Sequence, residues 1–130
     1  MSRNSRHPAE RRLSGLFAAL DVRERELRAL VAERRRALED HGPGADRAGD
    51  EADRAFGRVR STIENDLLDL HLRELAQIDA VRARAAEGGY GQCADCGDPI
   101  PSARLEANPA ALRCAVCQGQ RERLFPAAAP

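Results

Sequence analysis

The sequence predicts an all-α fold: a long antiparallel coiled-coil helical hairpin with a small four-cysteine zinc-finger module and a short helix at its C-terminal end. Three observations carry this. Two segments of more than 30 residues place apolar side chains at helical spacing, a Gly-Pro turn separates them, and all four cysteines fall in the last 38 residues.

Composition narrows the class first. Of the 130 residues, 42% are hydrophobic but only 3% aromatic, so the apolar content is mostly Ala and Leu, with Phe17, Phe56, Phe125 and Tyr90 as the only rings. That suits helices burying a stripe and excludes a large multilayer enzyme with a thick core. The 21 basic residues, all Arg, balance 21 acidic ones. A generic nucleic-acid binder would carry a basic excess, because phosphate contacts supply most of its affinity. No apolar run reaches the roughly 18 residues of a membrane helix, and residues 1–12 lack the apolar core of a signal sequence. A cytoplasmic protein with no membrane association is expected.

Residues 1–9 are polar and are expected to be flexible. Over residues 10–40, Leu13, Leu16, Phe17, Leu20, Leu27, Leu30, Val31 and Leu38 recur at three-, four- and seven-residue steps and draw one stripe, interrupted by Arg23, Glu24 and Arg34. His41-Gly42-Pro43-Gly44 stops this helix, since Gly accepts a left-handed cap and Pro cannot extend the hydrogen-bond ladder. A second helix is expected over about residues 50–87. Its stripe runs through Phe56, Val59, Ile63, Leu67, Leu70, Ile78, Val81 and Ala85, widened by Leu68, Leu72 and Leu75.

Two long helices joined by a short turn fold back on each other. At 1.5 Å per residue each is roughly 45–55 Å long, so the hairpin (10–87, with its tip near 41–53) reads as a rod. Gly88-Gly89-Tyr90-Gly91 ends it and opens the module over residues 88–125, in which a helix is expected near 118–125. Residues 126–130 read as a disordered tail.

Cys93-x-x-Cys96 and Cys114-x-x-Cys117, 17 residues apart, have the spacing of a structural four-thiolate zinc site, each pair forming one knuckle. Gly97 and Gly119 follow the two pairs and would permit tight knuckle backbone. Two disulfides or a redox pair are the alternatives. The redox reading lacks a strand-helix context, and the segment holds too few large apolar residues to fold without a ligand. Four protein ligands leave no open position, so the metal would be structural. His7, His41 and His71 are scattered and no nucleophile, base and acid converge, so an enzyme is not expected.

The run Gly89-Tyr90-Gly91-x-Cys93-x-x-Cys96-Gly97, Ile100-Pro101, Arg104-Leu105-Glu106-Ala107-x-Pro109 and Cys114-x-x-Cys117 resembles the DksA/TraR family of C4-type zinc-finger proteins. The resemblance implies a bacterial transcription regulator that acts as a monomer, binds RNA polymerase and not promoter DNA, and inserts its hairpin into the secondary channel. In the family the hairpin tip carries D-x-x-D-R-A, matched here by Asp50, Asp53, Arg54 and Ala55. Asp46-Arg47-Ala48 repeats the tripeptide and is an alternative tip, while Asp50 and Asp53 also suit ordinary helix capping.

Arg104, Arg113, Arg121 and Arg123 are candidates for contacts with the polymerase rim. They are balanced by Asp95, Asp98, Glu106 and Glu122, which disfavours direct nucleic-acid binding. Members that respond to ppGpp carry basic residues at positions matched here by Gln77, Asn108 and Gln118, all neutral, so ppGpp synergy is expected to be weak or absent. A zinc-stabilised coiled-coil adaptor for another protein is the alternative function.

Overall fold

A computed structural model describes residues 8–40 and 51–126. The turn at 42–44 and the candidates Asp46 and Asp50 lie outside the described residues. The elements run α1 (Pro8–Asp40), α2 (Glu51–Ala86), α3 (Ser102–Ala107) and α4 (Ala115–Leu124). α1 begins inside the segment expected to be flexible, with Pro at its first position, where a missing N–H costs nothing. α4 begins three residues before the expected start, and α3, inside the Arg104–Ala107 segment, was not expected as a helix.

The chain divides into two compact units, Met1–Glu24 with Gln77–Pro130, and Arg25–Ala76. Both long helices contribute to both units. In α1 the positions 17, 20, 24, 27, 31, 34 and 38 are all at least half-buried, and in α2 so are 64, 67, 71, 74, 78, 81 and 85. Alternating steps of three and four are the signature of a coiled-coil seam.

This corrects the sequence reading in two places. Glu24 and Arg34 do not interrupt the stripe; they occupy seam positions and form ion pairs across it, with Arg34 Nε left buried and without a hydrogen-bond partner among the described residues. In the first unit Arg82 donates to Asp21 Oδ1 at 2.6 Å and Glu24 Oε2 at 3.0 Å. Its guanidinium is held above its ordinary pKa, chiefly by the bond to Asp21. In the second unit Arg34 meets Glu64 at 3.2 Å. The second correction concerns α2. Its seam runs through Glu64, His71 and Ile78, so Phe56 (73% exposed), Val59, Ile63 and Leu70 face outward. Two apolar stripes lie side by side on this helix, and periodicity alone does not say which one α1 covers.

The second unit buries Leu27 (0% exposed), Val31 and His71 (9%) among its described residues, and neither ring nitrogen of His71 has a hydrogen-bond partner. In the first unit, Leu20, Ile78 and Val81 are buried, whereas Leu13 of the expected stripe is 40% exposed. Among the described residues no helix is long and apolar enough to cross a membrane.

Candidate metal centre

α2 ends where Gly88 adopts φ +81°. The Gly88 amide donates to the Ala85 carbonyl at 3.0 Å and the Gly89 amide to the Arg84 carbonyl at 2.8 Å. This pair of bonds is a Schellman cap, and it turns the chain sharply into the cysteine segment.

The first knuckle is a tight loop. The Cys93 amide donates to the Asp98 carbonyl at 2.8 Å, and the Gly97 amide returns to the Cys93 carbonyl at 3.0 Å with Gly97 at φ +78°. Gln92 and Pro99 form an isolated antiparallel bridge across its base. The second knuckle is built differently. Cys114 is the N-cap of α4, and the Cys117 amide points back at Cys114 Sγ at 3.5 Å. Gly119 therefore plays no part in a left-handed turn; it lies inside α4, and the helix start supplies the tight backbone.

These two loops bring the four sulfurs within 4.8 Å of one another. A tetrahedral zinc with Zn–S bonds near 2.3 Å needs its sulfurs about 3.8 Å apart. Cys96 and Cys114 Sγ lie 4.0 Å apart, close to that spacing and far from a disulfide bond of about 2.05 Å. All four cysteines are free thiols, Cys93 buried, Cys114 and Cys117 half-buried and Cys96 exposed.

Charge explains why such a cluster requires a cation. For Cys93, burial pushes the thiol up, but backbone bonds from Cys96, Cys114 and Asp95 outweigh it and bring it down to about 6. Its neighbours respond in the opposite sense. Cys117 is pushed up to about 12, first by the Cys114 sulfur and then by Cys93, and Cys96 is also raised: a bond from the Asp98 backbone lowers it, but the Cys93 sulfur and burial outweigh that. A thiolate at Cys93 opposes ionisation of Cys96 and Cys117 beside it; a divalent cation removes that conflict and allows the thiolates to stand together.

The module has a small core of Leu16, Cys93, Ile100, Leu105 and Ala111, with Tyr90 packed against it. The segment around α3 serves this core. Leu105 is buried, Arg104 Nε donates to the Arg113 carbonyl at 2.9 Å, and Asn108 Oδ1 accepts from the Ala110 amide at 3.1 Å. Tyr90 lies on Phe17, ring centroids 5.0 Å apart, and donates its hydroxyl to the Pro109 carbonyl at 2.8 Å. Burial raises the Tyr90 pKa.

The other predicted site residues are spread out. Asp53 and Ala55 are exposed at the start of α2, where Arg54 pairs with Glu51 at 3.8 Å. Arg104 and Arg113 are engaged internally, the latter through Nε to Asp95 at 2.9 Å. Arg121 lies over the Phe125 ring at 5.7 Å, and Arg123 is exposed. Gln77 Nε2 donates to the Ala110 carbonyl at 2.7 Å, and Gln118 Nε2 to Glu122 Oε1 at 3.1 Å. The sequence reading considered Gln77 only as a missing charge, and its structural bond has no signature in the sequence.

Comparison with known proteins agrees with this geometry. The family model of the prokaryotic dksA/traR C4-type zinc finger matches residues 88–123. The RNA polymerase-binding transcription factor DksA of Caulobacter vibrioides is 36% identical over 99 residues, covering 76% of this chain and 65% of that protein. The matched part thus spans just under two thirds of that relative's length. An uncharacterised protein of Haemophilus influenzae is 42% identical over 72 residues, 53% of this chain and 88% of its own. The structure of transcription factor DksA2 from Pseudomonas aeruginosa superposes with a TM-score of 0.73 at 26% identity, covering 96% of this chain and 94% of that one. The donor set, its spacing and the C4-type finger together support a structural zinc ion.

Proposed function

Because this chain belongs to the DksA/TraR family of C4-type zinc-finger proteins, we propose that it is a transcription regulator that binds RNA polymerase and acts through its secondary channel. The likeness to a relative described as an RNA polymerase-binding transcription factor carries this reading. In it, Cys93, Cys96, Cys114 and Cys117 hold the structural zinc. The acidic residues Asp50 and Asp53, with Asp46 as the alternative, form the tip that approaches the magnesium-dependent active site. Carboxylates delivered there shift a site balanced by charge and need no covalent chemistry of their own. The protein acts as a cytoplasmic monomer and is not an enzyme.

The exposure of Asp53 in the first turn of α2 supports the tip assignment. Rim contacts fall chiefly to Arg121 and Arg123, since Arg104 and Arg113 already hold the module together. Gln77, Asn108 and Gln118 are neutral and each is used in an internal hydrogen bond, which supports weak or absent ppGpp synergy. Co-purification with core polymerase, with zinc measured on the same preparation, tests the reading: a folded, zinc-loaded protein that does not bind polymerase overturns it. That outcome favours the second reading, an adaptor for another protein, which the outward stripe of Phe56, Val59, Ile63 and Leu70 supports.

A further inference from the structure

Within the unit formed by Met1–Glu24 and Gln77–Pro130, the thiol cluster is joined to both long helices by separate contacts. Cys93, 1% exposed, shares one core cluster with Leu16 of α1. Tyr90 packs on Phe17 of α1 and donates to Pro109. Gln77 of α2 donates to Ala110, whose neighbour Ala111 belongs to the same cluster as Cys93. Pro109, Ala110 and Ala111 lie on the stretch connecting the two cysteine pairs, so the segment closed by the metal is the one that supplies these acceptors. Its apolar core is too small to order that stretch unaided.

We propose that metal occupancy at the four cysteines is transmitted to the α1–α2 pairing at this end, with Tyr90 and Gln77 as the positioning residues that carry it. With the metal bound, residues 109–111 are fixed, the carbonyls of Pro109 and Ala110 stand where Tyr90 and Gln77 need them, and the Tyr90 ring holds Phe17. Without it, these anchors are lost, and the helix ends beside them open more often. The Arg82 bonds to Asp21 and Glu24 lie on those same helix ends and open with them.

Amide hydrogen exchange on the full chain, zinc-loaded and chelator-stripped under reducing conditions, tests this, with metal content measured on each sample. Loss of zinc speeds exchange in residues 13–24 and 77–86 by about tenfold or more and leaves residues 27–40 and 58–75 within about twofold. In Gln77→Ala and in Tyr90→Phe, which keeps the ring and removes only the hydroxyl, zinc remains bound but its effect on exchange in residues 13–24 and 77–86 shrinks. Equal exchange of those helix ends with and without zinc overturns the proposal. So does an undiminished zinc effect in both variants, or an equal loss of protection in residues 27–40 and 58–75. No polymerase enters the assay, so its failure is separate from that of the polymerase reading.

Discussion

Replacing His71 by Leu stabilises the protein. His71 occupies a seam position on α2, is 9% exposed, and among the described residues has no hydrogen-bond partner for either Nδ1 or Nε2. An imidazole ring carries at least one N–H whatever its charge, and leaving such a donor buried and unpaired costs about 1–3 kcal/mol. Leu fills a comparable space with no polar atom, so His71→Leu recovers that amount. For 130 residues, at an unfolding entropy of about 2.1 cal/mol/K per residue, the total is about 0.27 kcal/mol/K, and the thermal midpoint rises by about 4–11 °C. Thermal unfolding followed by far-ultraviolet circular dichroism on zinc-loaded protein measures it. His71→Ala, which removes the polar atoms but leaves a cavity, melts below the Leu variant. An unchanged or lower midpoint for His71→Leu refutes the reasoning, because it means that the ring nitrogens have partners.

Three other outcomes follow from the same contacts. Tyr90 is the only tyrosine and there is no tryptophan, so an ultraviolet titration sees one phenol; burial places its ionisation above the usual 10. Because the folded pKa is the raised one, the stability this group contributes is complete below the unfolded pKa and is lost as pH rises through the folded value; titration at or below 10 contradicts the packing. Leu105→Ala removes a buried side chain from a core of five residues and costs about 2–5 kcal/mol, read as faster zinc release to a chelating dye; an unchanged release rate contradicts it. In transcription assays the wild-type protein gives the same effect with and without ppGpp, and a large nucleotide-dependent gain contradicts the account of Gln77, Asn108 and Gln118.

The two long helices and the thiol cluster were legible because each has a local signature, whereas the six-residue α3 has none. Cys-x-x-Cys repeated at a 17-residue interval has the spacing of a tetrahedral site, and the scarcity of large apolar residues around it favours a metal over disulfides. The hairpin was legible from its period, but the identity of its seam was not. Glu24, Arg34 and Glu64 look like solvent-facing charge until a partner helix supplies Arg82 or completes the Arg34–Glu64 pair. His71 replaces Leu70 on the buried face because the choice between neighbouring stripes depends on α1, a tertiary fact. The second knuckle was misread for a related reason. A glycine after the cysteine pair suggests a turn, yet the cap formed by Cys114 makes the same bend with helix geometry. The bond from Gln77 to Ala110 spans 33 residues and has no sequence signal at all.

The central claim is that an acidic tip acts inside RNA polymerase, and the double variant Asp50→Asn with Asp53→Asn tests it most directly. Binding to polymerase and open-complex lifetime are measured on the same preparations, zinc-loaded and equally helical. The account predicts unchanged binding and loss of the effect on lifetime, because the substitutions remove charge at the tip and leave the zinc module and the seam intact. A double variant that alters open-complex lifetime as strongly as the wild type contradicts it.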